Sequence, residues 1–374
     1  MKLVILQENL KKYLNLTERI IGRNLTLPIL NNILLTIEKN SLKLSVTDLE
    51  ITLEIWLPVK IEENGSLTIP NKLLNNFINQ LSNIKDQKLI LESKDDNLNI
   101  TLENYSITIN GMNAKDFPII PKIKTNSALE LDNSMFKLSL SQILNSAAFS
   151  EIRPEISGVF FNFTNSNEKI KNFKLVTTDT FRLAEKKIEC SFKEKPASFI
   201  IPIKTITELV RLFDLTEKQT TKIYLDNNQV LFDLGNIHLS SRLIEGEYPN
   251  YEPIIPKKNQ TKIIIDKNNL INSVKIASVF SSKINDIKFK INPNKEKMEI
   301  FTKSEYGENK SEINIKGQGE EVEISFNHKY ILDGLSNILG NEAVMEFQGS
   351  QNPALLKSNS DDDYIYIAMP LRLN

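Results

Sequence analysis

Little in this sequence is equipped for covalent chemistry. Its 374 residues include one cysteine, two histidines and one tryptophan. A lone Cys190 excludes an intramolecular disulfide and a thiolate metal site, and suits a reducing compartment. Neither His238 nor His328 stands beside a nucleophile or carboxylate pattern, and no Walker loop, GxGxxG or HExxH occurs. No apolar run approaches membrane-spanning length. The opening residues, MKLVIL, give way at once to polar ones, unlike a secretory signal. An excess of one charge is missing too: 46 Lys and Arg face 47 Asp and Glu, for a net charge of −1. Global basicity therefore does not advertise nucleic acid, although binding depends on where charge sits. The expectation is a soluble, cytoplasmic protein without cofactor or metal.

What is present is a repeat. The composition, 40% hydrophobic and 25% charged, is that of a folded protein, and the length predicts two or three domains. Residues 198–213 read as a short apolar strand, a proline and an amphipathic helix. The same grammar recurs at 67–81 and 323–338, with Lys72, Lys204 and Lys329 at one shared step. A repeat this long means a repeated domain, not a short-period solenoid. In the third copy Asn327 replaces the proline.

Each third opens with a strand that runs into a helix. Apolar residues at Leu10, Leu14 and Ile21, at Phe136, Leu140, Ile143 and Ala147, and at Leu270, Val274 and Ala277 share one helical face. Asp132 and Asp266 are placed to cap the second and third of these helices. Alternating strands come next at 33–37, 42–46 and 51–57, at 158–163, 173–177 and 183–188, and at 287–291, 298–301 and 310–315, separated by polar turns. The strand–helix repeat and a second meander complete each third, which is thus two similar halves. Two helices per third against antiparallel sheets predict an α+β fold. Proline-rich linkers near 117–126 and 253–260 divide the chain into predicted domains 1–125, 126–254 and 255–374.

These segments carry a resemblance. Residues 23–30 (RNLTLPIL), 47–50 (TDLE), 116–118 (DFP), 178–184 (TDTFRLA), 245–251 (EGEYPNY) and 369–373 (MPLRL) are similar, in order and spacing, to the bacterial DNA polymerase III beta subunit family, the beta sliding clamps. The resemblance spans the whole chain. It implies three repeated DNA-clamp domains per chain, forming half of a closed ring, with two chains encircling duplex DNA as a homodimer. It implies no catalysis, no cofactor and no membrane. The implied partners are double-stranded DNA irrespective of sequence, the replicative polymerase alpha subunit, the clamp loader, and repair polymerases and ligase-type clamp binders, in the cytoplasm at the nucleoid. A ring that slides needs attraction to phosphate without base reading.

Carried over residue by residue, the resemblance places Ile156, Thr178, Thr180, Arg182, Leu183, Pro249, Ile254, Ile367, Met369, Pro370, Leu371 and Arg372 in a peptide-binding groove, a set that suits a short extended peptide. It places Arg23 or Asn24, Lys72, Arg153, Lys204 and Lys329 toward DNA, and Ile107, Val279 and Phe280 at the dimer contact. This chain has Thr180-Phe181 where the family usually has Gly-His, and Pro253 where arginine is frequent, and its loop at 150–154 is short. Each residue also has a plainer reading. The lysines could be solvated, Asp48 and Asp179 could close strand-end turns, Val279 and Phe280 could be ordinary core, and Asp361, Asp362 and Asp363 form a solvated hairpin. A metal-dependent nuclease built on Asp48 and Asp179, and a repeat scaffold that ignores DNA, are the competing functions.

Overall fold

The computed structural model describes residues 1–21, 26–81, 87–103, 105–125, 128–150, 152–163, 172–190 and 197–372. They fall into two compact units, Met1–Ser134 with Glu208–Leu243, and Met135–Thr207 with Ile244–Asn374. Six α-helices occur among the described residues: α1 (Gln7–Ile20), α2 (Asn71–Gln80), α3 (Asn133–Leu144), α4 (Ile203–Leu212), α5 (Lys267–Ser278) and α6 (His328–Asn337).

The first unit holds two antiparallel sheets. One runs Lys60–Glu63, Lys2–Leu6, Lys88–Lys94, Asn97–Leu102, Tyr105–Asn110. The other runs Ala128–Asp132, Thr220–Asp226, Gln229–Asp233, Ile237–Arg242, Ile51–Pro58, Ser41–Thr47, Asn32–Glu38, Ser66–Pro70. Alternation builds them: in Ser41–Thr47, Leu42, Leu44 and Val46 are fully buried. Helix α1 lies on α2 and on strands Ser41–Thr47 and Ile51–Pro58. Thr17 ties the two helices together, its Oγ1 donating to Asn71 Oδ1 at 2.8 Å.

The second unit repeats the plan. A nine-stranded sheet runs Phe199–Pro202, Gly158–Asn162, Asn172–Thr178, Arg182–Glu189, Tyr364–Ala368, Ala354–Ser358, Glu342–Phe347, Thr261–Asp266, Lys316–Gly319. A four-stranded sheet runs Gly307–Asn314, Lys297–Ser304, Asp286–Asn292, Val322–Asn327. Asp266 caps α5 as expected, accepting from the Asn269 amide at 2.8 Å. The short strands Lys60–Glu63 and Lys316–Gly319 carry no recognisable sequence signal, since both are mostly exposed and lack a buried face.

One seam occurs in each unit. Strand Ile51–Pro58 pairs with Ile237–Arg242, Ile51 opposite Ser241. Strand Arg182–Glu189 pairs with Tyr364–Ala368, Arg182 opposite Ala368. Sheets are thereby extended across the thirds of the chain instead of ending at each.

Helix α6 packs its buried face, Ile331, Gly334 and Leu335, close to strand Tyr364–Ala368. A Cβ added at Gly334 would lie 2.6 Å from the ring of Tyr366, which is fully buried. Alanine favours helix over glycine by about 1 kcal/mol, yet overpacking a filled core typically costs about 1–3 kcal/mol. The clash should win: Gly334→Ala is expected to destabilise by up to about 2 kcal/mol, read as an earlier denaturant midpoint. A midpoint at or above that of the parent chain would show that Tyr366 moves aside freely.

Candidate functional site

The site begins with a tight turn between Asn172–Thr178 and Arg182–Glu189. Thr178 Oγ1 donates to the Arg182 carbonyl at 2.7 Å and accepts from the Thr180 amide at 3.1 Å. Asp179 Oδ1 accepts from the amides of Phe181 and Arg182 at 3.0 and 2.9 Å. These bonds hold Thr180 at φ +76°, a left-handed conformation that is an outlier for a β-branched residue. Asp179 is thus a turn-closing residue, and among the described residues no group of three His, Cys, Asp or Glu is placed to hold a metal.

The same turn occurs in the first unit. Thr47 Oγ1 donates to the Ile51 carbonyl at 3.0 Å, Asp48 Oδ1 accepts from Glu50 and Ile51, and Leu49 sits at φ +78°. The two copies differ in what surrounds the turn. The strand register makes Thr52 the counterpart of Leu183 and Ser240 the counterpart of Ile367, and Arg242 stands where Met369 does. The cavity at the first turn, ≈160 Å³, is lined by Thr47, Thr52, Ser240, Ser241 and Arg242 among others. Its counterpart at the second turn, ≈180 Å³, is bordered by Ile156, Leu183, Ile254, Ile367 and Met369. The first cavity also borders Leu49 and residues 118–121, but its paired strands present Thr52 and Ser240 where those of the second present Leu183 and Ile367, which makes the second the more apolar socket for a peptide side chain.

Nine residues from the sequence-derived groove set meet there: Ile156, Thr178, Thr180, Arg182, Leu183, Pro249, Ile254, Ile367 and Met369. Arg153 and Tyr251 join them. Pro370, Leu371 and Arg372 do not line this cavity. They border a neighbouring depression with Lys288, Glu323, Ile324 and Ser325, where the Leu371 amide donates to the Ser325 carbonyl at 2.8 Å. Met369 and the three residues after it thus border different cavities.

Below the cavity lies a cluster of Val176, Leu183, Tyr251, Leu355 and Ile367, with Phe160, Tyr248 and Ile255 against it. Tyr248 stacks on Phe160 at 4.6 Å. The Tyr251 hydroxyl donates to Glu185 Oε2 at 2.7 Å and accepts from Asn162 Nδ2 at 3.2 Å. Burial, reinforced by the neighbouring Glu185, raises the Tyr251 pKa well above its ordinary value. No motif announces Tyr251 as part of the site; its place just after Pro249 in the 245–251 segment is the available signal.

Arg182 is only 14% exposed and is held by several partners. Its Nε donates to Asp179 Oδ2 at 2.8 Å and its Nη1 to Asp333 of α6. Its guanidinium lies 4.7 Å from the centre of the Tyr330 ring, and Phe181 stacks on the far end of that arrangement, 6.4 Å from Tyr330. Burial disfavours the charge, but Tyr366 and the carboxylates of Asp333 and Asp179 outweigh it, so the pKa is raised. Arg153 is bonded to Glu155, Nε to Oε1 at 3.0 Å.

Lys72, Lys204 and Lys329 are each the second residue of their helix, α2, α4 and α6, and each is exposed. In the third copy Asn327 replaces proline without moving the helix start, because its side chain accepts from the Lys329 amide at 3.0 Å. Arg23 and Asn24 lie outside the described residues. Ile107 is half-buried on strand Tyr105–Asn110, an edge of its sheet. Val279 comes directly after α5 at 74% exposure, with Phe280 half-buried beside it. Asp361 corrects the reading of its hairpin as simply solvated. It pairs with Lys186 at 3.0 Å, both side chains less than a fifth exposed.

Helix pairs on antiparallel sheets, repeated three times, with a turn-built apolar groove, define a protein of the DNA-clamp class. Comparison with known proteins makes this particular. The chain matches the N-terminal domain of the DNA polymerase III beta subunit over residues 1–121, the central domain over 130–250 and the C-terminal domain over 252–372. It is 30% identical to the beta sliding clamp of Staphylococcus epidermidis, covering 100% of this chain and 99% of that one. Among solved structures it superposes on the DNA polymerase sliding clamp of Bacillus subtilis with a TM-score of 0.93 at 25% identity, and on the Thermotoga maritima beta subunit with 0.91 at 26%, each covering 100% of both chains. The chain belongs to the DNA polymerase III beta subunit family. Its function is that of a DNA sliding clamp, a non-catalytic processivity factor of a kind that is typically a ring-shaped homodimer with a peptide groove.

Proposed function

We propose that two copies of this chain close head to tail around duplex DNA, each contributing three clamp domains over residues 1–125, 126–254 and 255–374. Two strands support the closure: Tyr105–Asn110 and Gly307–Asn314 are each the last strand of a sheet. Such an edge presents unpaired N–H and C=O groups, and pairing the first edge of one chain with the second edge of another satisfies both. Ile107, Val279 and Phe280 would then pack at that contact. In this ring Lys72, Lys204 and Lys329, with Arg23, Asn24 and Arg153, supply attraction to phosphate that is indifferent to sequence.

The groove of Ile156, Leu183, Ile254, Ile367 and Met369 is the observation that carries the tethering role. An extended segment of the replicative polymerase alpha subunit, the clamp loader, or repair polymerases and ligase-type binders would lay apolar side chains into it. No helix among the described residues is long and apolar enough to cross a membrane, and the proposed place of work is the cytoplasm, at the nucleoid. A topological clamp stays on closed DNA and runs off free ends. After loading, the chain should therefore remain on a circular plasmid through gel filtration and be lost once the plasmid is cut at a single site. Equal retention on both forms would point to ordinary electrostatic binding and overturn the ring.

A further inference from the structure

The first Thr-Asp turn has a cavity of its own, ≈160 Å³ against ≈180 Å³ at the second, and the two are framed alike. The tetrapeptide Pro-Ile-Ile-Pro occurs beside each, and its first isoleucine, Ile119 or Ile254, lines the cavity. Ile119 is 94% exposed. Prolines on either side of the Ile119-Ile120 pair restrict the backbone there, so this apolar side chain is held out to solvent at little further entropic cost. Leu49, left-handed at the tip of the turn, adds a second apolar contact at 45% exposure. The strands contribute a polar part: Thr52 and Ser240, opposite one another across the seam, with Gln229 nearby. No hydrogen bond from the Ser240 hydroxyl or the Gln229 carboxamide occurs among the described residues. The two charged residues of the lining, Arg242 and Glu50, lie 3.8 Å apart and offset each other.

Resting on the peptide-docking reading of the second turn, we propose that the first turn is a second docking site. Its occupant is an uncharged, extended segment of a partner protein in which aliphatic side chains alternate with carboxamide ones. In an extended chain, alternate side chains point to opposite sides, so the aliphatic ones can meet Ile119 and Leu49 while a carboxamide bonds to Ser240 and Gln229. The same alternation keeps the two sites apart. A carboxamide set against Leu183 and Ile367 would lose its bonds to water without replacement, and a purely apolar segment at the first turn would leave Ser240 and Gln229 unpaired.

The test uses the full chain and two capped, fluorescein-labelled peptides, one alternating leucine with glutamine, the other leucine with alanine, read by fluorescence polarisation. Ile119→Asp alters a side chain that packs on nothing within the chain. It should weaken the leucine–glutamine peptide by about tenfold or more and leave the leucine–alanine peptide unchanged. Ser240→Ala should weaken the leucine–glutamine peptide about fivefold, again without effect on the other. Removal of residues 369–374 should do the reverse, weakening only the leucine–alanine peptide. A leucine–glutamine peptide that did not bind, or that was lost on truncation and not in Ile119→Asp, overturns the second site and leaves the groove reading intact. Self-association of the chain that Ile119→Asp abolished, without peptide binding, would assign the cavity to a second copy and overturn the proposal. Failure of the leucine–alanine peptide to bind the parent chain overturns the groove reading at the second turn instead.

Discussion

Removal of residues 369–374 should weaken peptide binding by about 30- to 100-fold, the equivalent of about 2–3 kcal/mol, and leave the sheet of the second unit folded. Met369 supplies one wall of the groove, and full burial of a methionine side chain is worth about 1.5–3 kcal/mol. Its amide also donates to the Phe181 carbonyl at 2.9 Å, so the tail holds the turn from the side opposite Thr178. Strand Tyr364–Ala368 ends just before the cut, and its pairing with Arg182–Glu189 is complete at Ala368. Fluorescence polarisation with a neutral apolar peptide reads the affinity, and far-ultraviolet circular dichroism reads the fold. A truncated chain that kept its affinity would place the docking site elsewhere.

The second large effect concerns closure. Replacing Ile107 and Val279 together by aspartate should convert the proposed dimer to monomer and abolish retention on circular DNA. In a head-to-tail dimer every substitution is present at both interfaces, so its cost counts twice. Placing an unpaired charge in a buried contact costs about 3–5 kcal/mol, which is more than about a hundredfold in an association constant at each interface. Light scattering should give half the mass. Neither residue is fully buried within the chain: Val279 is exposed and Ile107 half-buried, so the monomer should unfold at nearly the parental temperature. A double variant that remained dimeric and circle-bound would remove these edges from the interface.

The elements were more legible in the chain than the groove they build. Alternation in stretches such as Leu42-Lys43-Leu44 made the strands readable, and the amphipathic spacing around Lys72, Lys204 and Lys329 made the helices so, because both patterns are local consequences of burying one face. Strands Lys60–Glu63 and Lys316–Gly319 escaped for the same reason: they bury nothing that a pattern could show. The resemblance named most groove residues, but it carried Pro370, Leu371 and Arg372 along with Met369 as a single motif. In the structure Met369 borders the cavity, while the bond from Leu371 to Ser325 sets the three residues after it along a separate depression.

Arg182 marks the division most sharply. Its adjacency to Asp179 is visible in the sequence, three residues apart. Asp333 and Tyr330 lie on α6, far along the chain, and nothing in either stretch points to the other. The amino-acid sequence by itself determined the repeat, the element types, the twofold occurrence of the Thr-Asp turn and the family. The tertiary structure decided which turn became the more apolar groove and which side chains hold Arg182. Those properties depend on the strand that pairs alongside and the helix that packs behind, and such neighbours are set by the fold as a whole, not by local pattern.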